Sequence, residues 1–149
     1  MSNLSPGLRR YLYGTATTTG AVVLVVEILG AKMLTPWFGS SHFVWTAQIA
    51  ITLLALAAGY YLGGWWSDRT RRLGGIYMGL VLAAAYLALT TAVRSQLAAA
   101  CLSLNLALGS MVASLALFFV PLTLLAAVGP FFVRALASSV QGVGSVVGR

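Results

Sequence analysis

Apolar residues in this chain come in blocks of about twenty, the length at which a helix crosses the hydrocarbon core of a bilayer. The first block covers Tyr11 to Leu34, the second Phe43 to Trp65 and the third Gly74 to Val93. Thr35-Pro36-Trp37-Phe38-Gly39-Ser40-Ser41-His42 separates the first two. Its Pro, Gly and Ser break a helix and its aromatics suit an interface, so it reads as an outer turn. The Ser67–Leu73 loop is so short that the second and third spans must be antiparallel neighbours. Arg94-Ser95-Gln96 reads as a second outer turn.

From Leu97 to Val133 no residue is charged. That run is too long for one crossing and barely enough for two. The preferred reading is a tilted or interfacial lead-in over Leu97–Asn105, then a fourth span over 106–128 kinked at Pro121. A five-span alternative stays open. Gly129 to Arg149 is Gly- and Ser-rich and reads as a cytoplasmic or interfacial tail. The pattern predicts an all-α, polytopic transmembrane bundle of about four spans in one domain, residues 1–149.

Composition agrees. The chain is 60% hydrophobic and 7% charged, with a mean hydropathy of +0.93, whereas soluble domains carry roughly 25% charged residues. So few charges cannot cover a soluble surface, and the apolar surface must face lipid. A net charge of +7 therefore does not point to nucleic acid. Arg9, Arg10, Arg69, Arg71, Arg72, Arg134 and Arg149 all fall on one side of the predicted bundle, against Lys32 and Arg94 on the other. That is the positive-inside pattern, with both termini cytoplasmic. The apolar run after Arg9 and Arg10 is too long for a signal peptide and reads as the first span.

Few residues can carry chemistry. Glu27 is the only acid inside a predicted span, and an ionised acid near the bilayer centre must be paired, hydrated or protonated. It is either a substrate or proton site or a structural carboxyl. Lys32, five residues on, points well away from it and reads as snorkelling to the outer interface. Asp68 lies among Arg69, Arg71 and Arg72. The arginines are explained by topology, but an acid is not, so a latch at a helix end is the sharper reading. Ala55, Gly59 and Gly63 recur every fourth residue, a small-residue stripe for close helix packing and a candidate association surface. His42 is alone, which argues against a metal site. Gln48 and Asn105 read as interhelical hydrogen-bond partners, and Cys101 as a small apolar-run residue without a disulfide partner. The glycines at 142, 144 and 148 lack the strand, helix and acid of a nucleotide fingerprint. No catalytic set is seen, and neither an enzyme nor a cofactor is expected.

Gly64, Asp68, Arg69 and Arg72 resemble the loop signature between the second and third helices of major facilitator transporters, with Arg71 where that signature has glycine. A longer set is similar to the membrane domain fused to spermidine-synthase-like proteins of bacteria. It runs from Glu27 through Lys32, Pro36, Gly39 and Trp45 to Gly59, Gly63, Gly64, Asp68 and Arg69, with Gly129-Pro130 and Arg134 further on. Lys32 stands where that family usually carries arginine. The resemblance implies part of a major-facilitator-type half in a bacterial inner membrane. Family members usually continue into further helices and a catalytic domain, so a partial or split form is expected. Three functions follow from it: a non-enzymatic subunit assembling with itself or another membrane protein, a transporter-like module for a cation such as a polyamine, or an anchor for a soluble aminopropyltransferase.

Overall fold

The computed structural model describes residues 6–69 and 74–136. Within them the chain forms α1 (Pro6–Phe38), α2 (His42–Arg69), α3 (Gly74–Cys101), α4 (Leu106–Ala126) and α5 (Val128–Leu136). Every element is helical, and the described residues include four helices long and apolar enough to cross a membrane. The chain is an all-α bundle of integral membrane type.

The helices run beyond the expected spans. At 33 residues, α1 is the longest and extends to roughly 50 Å, against about 30 Å of hydrocarbon. It continues through Pro36, because a proline near the end costs only the hydrogen bond to Lys32. The stop comes at Gly39, whose φ of +72° is open to glycine at little cost. Likewise α3 does not turn at Arg94-Ser95-Gln96 but continues to Cys101. None of those three residues breaks a helix, and the Leu97–Ala100 run after them favours one. The real turn lies at 102–105. There Asn105 caps α4 by accepting from the Leu108 N–H at 2.8 Å, so it is not an interhelical partner.

Short connections make successive helices antiparallel, so α2 and α4 run parallel. The centre of the bundle is α4, packed most extensively against α2, then α3, then α1, while α1 and α3 barely meet. Its inner faces supply Leu117, Phe118, Leu122 and the buried Pro121, through which α4 continues. Outward, Leu24, Leu53, Tyr61, Val81 and Leu82 are exposed, as lipid-facing positions should be.

Part of the expected tail is structure. Pro130 has no N–H for the Ala126 carbonyl, and the chain breaks for one residue at Ala127 before resuming as α5. Phe131 and Phe132 of α5 then bury themselves with Leu12 of α1 and Ile76 of α3. Residues 137–149 lie outside the described part.

Two glycines set the α2–α4 contact. A Cβ on Gly59 would lie 2.5 Å from both the Thr123 oxygen and the Ala126 Cβ, and one on Gly63 2.5 Å from the Ala127 oxygen. A Cβ on the adjacent Gly64 would meet nothing within 4 Å. Gly63→Ala is therefore expected to destabilise the bundle by about 1–3 kcal/mol, while Gly64→Ala is neutral or stabilising by up to about 1 kcal/mol. Reversible unfolding in mixed micelles measures both.

Candidate functional site

Two groups of polar residues stand out, one at an end of the bundle and one inside it. At the end that carries Arg69 and Gly74, the C-terminus of α2 meets α5. Arg134 donates from Nη1 to Asp68 Oδ1, tying the two helices together. Arg69 turns the other way and stacks its guanidinium 3.9 Å from the centre of the Trp65 ring. Trp66 lies edge-on to Phe131 at 5.7 Å between ring centroids. Arg71 and Arg72 lie outside the described residues.

Among the described residues Asp68 thus has a specific partner, not the adjacent Arg69 but Arg134 far along the chain. With Asp68 at 75% and Arg134 at 41% side-chain exposure, water screens the pair, and its worth is that of a surface bridge, roughly 0–1 kcal/mol. The aromatic contact and the buried phenylalanines hold α5 more firmly than the charges do.

The second group is internal. Val23, Gly30, Ala31, Leu34 and Phe38 form the buried stripe of α1. Glu27 lies on that same face, four residues after Val23 and before Ala31, and is half-buried. Lys32 falls on the exposed side. Opposite Gly30 is Gln48 of α2, whose Nε2 comes within 2.7 Å of where a Gly30 Cβ would be. Gln48 is 0% exposed and Thr52, one turn along, 1%. On α4, Ser110 and Ser114 are both fully buried. Ser110 donates to the Ala107 oxygen at 3.0 Å. Gln48 Nε2 and Oε1, Thr52 Oγ1 and Ser114 Oγ have no hydrogen-bond partner, and neither does Ser41 Oγ in the first turn. Gln48 is therefore not the satisfied interhelical partner its position suggested.

Ala55, Gly59 and Gly63 all face inward, with Ala55 at 0% exposure. The stripe is spent on α4 within the chain rather than offered to another. An unfilled small-residue face lies elsewhere, on α1, where Tyr11, Gly14, Thr15, Thr18 and Thr19 line an open cleft of about 390 Å³ with Leu80 of α3. His42 is exposed, and Cys101 is buried with its carbonyl against Gly109. Among the described residues, no three His, Cys, Asp or Glu side chains come together.

Sequence reasoning missed Arg134, Thr52 and Ser114. Arg134 looked like one more topology charge. The polar pairs Gln48/Thr52 and Ser110/Ser114, each spaced by four, were the signal for an internal polar face. No family model, curated protein or solved structure matches the chain.

A double-mutant cycle on Asp68→Asn and Arg134→Gln should give a coupling of about 0.2–1 kcal/mol that disappears at high salt. Unfolding measured at two ionic strengths reads it.

Proposed function

We propose that this chain is a non-enzymatic integral membrane subunit that assembles with copies of itself or with another membrane protein through α1. The observation that carries this is the cleft beside Gly14, Thr15, Thr18 and Thr19. A Cβ on Gly14 or Gly20 would meet nothing within 4 Å, so the outward side of this part of α1 is unpacked. Thr15, Thr18 and Thr19 donate to carbonyls of their own helix at 2.9–3.0 Å. Their hydroxyls are thus satisfied without lipid, and the face presents methyl groups and bare backbone. Such surfaces let helices approach closely, and close packing is what drives association where no hydrophobic force acts between helices. The resemblance to the membrane part of spermidine-synthase-like proteins fits a subunit role. The common end of Arg9, Arg10, Arg69 and Arg134 supports a bacterial inner-membrane topology with that end cytoplasmic.

A second reading is favoured by one observation, the placement of Glu27 on the packed face of α1. In it, the chain is a transporter-like module for a cation such as a polyamine, with Asp68 and Arg134 latching the inner ends of α2 and α5. Glu27→Gln should then abolish polyamine flux in proteoliposomes while assembly survives. Unchanged flux removes this reading.

For assembly, donor- and acceptor-labelled protein in bilayers should show energy transfer that persists on dilution with lipid. Gly14→Ile with Thr18→Ile should weaken self-association at least tenfold without altering unfolding. A monomer at every lipid ratio, with no membrane protein co-purifying, would overturn the proposal.

A further inference from the structure

We propose that Glu27, Gln48, Thr52 and Ser114 form an oxygen-lined site for one small monovalent cation inside the membrane-spanning bundle. The inference rests on the placement of Glu27 that favours the second reading above, and it adds the remaining ligands and the class of ion.

Register brings these residues to one depth. Residues 39–41 join α1 and α2 into a hairpin, and Gly30 faces Gln48 across it. One turn towards the N-terminus on α1 is Glu27; one turn towards the C-terminus on α2 is Thr52. In antiparallel helices these two steps go the same way. On the other side, the parallel α2 and α4 are aligned by Gly59 against Thr123 and Ala126 and by Gly63 against Ala127. Carried back along both helices, that alignment puts Ser114 level with Gln48.

The polar atoms at this depth are the ones left without partners. Thr15, Thr18, Thr19, Thr35, Thr90, Thr123 and Ser110 all donate to carbonyls of their own helix. Thr52 and Ser114 could do the same and do not, and both atoms of the Gln48 amide are equally free. Buried polar groups are rarely left this way. In a bilayer no water from the surroundings supplies the missing bonds. Four such atoms on side chains 0–1% exposed point to something bound among them.

The donor set states what that is. Gln48 Oε1, Thr52 Oγ1, Ser114 Oγ and a Glu27 oxygen are hard ligands, suited to a hard cation and not to a soft metal. The set carries one negative charge. A monovalent cation makes it neutral, whereas a divalent one would leave a net positive charge in a low-dielectric interior. Sodium and hydronium share the required chemistry. Few other groups compete. Lys32 lies on the exposed side of α1, and the Tyr86 hydroxyl of α3 is committed to the Ala116 oxygen at 2.6 Å. Tyr60 of α2 is two turns past Thr52 and exposed, α4 has no titratable side chain, and Arg134 of α5 is held by Asp68 at the bundle end.

The test uses the full chain in nanodiscs of zwitterionic lipid, with choline chloride keeping ionic strength constant. If sodium is the ion, the thermal midpoint rises saturably with NaCl. Glu27→Gln and Thr52→Val, both close to isosteric, should raise the half-saturating concentration at least tenfold. If hydronium is the ion, sodium has no effect, but a carboxyl infrared band titrates, disappears in Glu27→Gln and shifts in Gln48→Leu. Either result supports the site. The proposal is overturned if wild type and variants respond alike to every salt and the Glu27 band ignores Gln48→Leu. Because no polyamine is present, loss of polyamine transport with ion binding intact would remove only the second reading.

Discussion

Between α2 and the α4–α5 segment two backbones come into direct contact because Gly59 and Gly63 carry no side chains. Helices in lipid gain little from hiding apolar surface, so contact geometry decides how they lie. Here it decides the axial alignment of two parallel helices, and the consequences appear at both ends of the contact. The alignment that sets Gly59 against Thr123 and Ala126, and Gly63 against Ala127, carries Asp68 to the level of Arg134.

The division of labour along α2 follows from this. Its inward positions are of mixed size from Val44 to Thr52 and small from there to Gly63, where Ala55, Gly59 and Gly63 let α4 close in. Where the helices are closest, only backbone and methyl groups fit. One level up, around Gln48 and Thr52, larger polar side chains occupy the seam, and Gly30 of α1 yields the space that the Gln48 amide fills. Close packing and polarity are segregated by depth.

The hydrophobic blocks made the helix count and class legible, because length and charge depletion are strong signals in a bilayer. Helix ends were less legible. Arg94-Ser95-Gln96 looked like a turn on charge alone, yet nothing in it opposes helical dihedrals, and α3 passes straight through. Asn105 looked like an interhelical group because it interrupts an apolar run, but a short polar side chain before a helix is above all a cap. Reading 129–149 as one Gly- and Ser-rich tail hid α5, a strongly one-sided helix whose Phe131 and Phe132 do the packing. The partner of Asp68 was hidden for a different reason. Several arginines lie next to it in sequence, and only the alignment of α2 with α5 picks out Arg134.

The central position of α4 has a consequence for biogenesis. It touches every other long helix, yet it is the last of the four to leave the ribosome. Until it arrives, α3 has little to hold it to the α1–α2 hairpin, since it barely meets α1 and packs even less on α2. During that interval Gly59, Gly63, Gln48 and Thr52 face lipid, one another or the insertion machinery. Assembly of this protein is therefore a process of late closure, in which a hairpin and a loosely held third helix wait for the fourth to complete them.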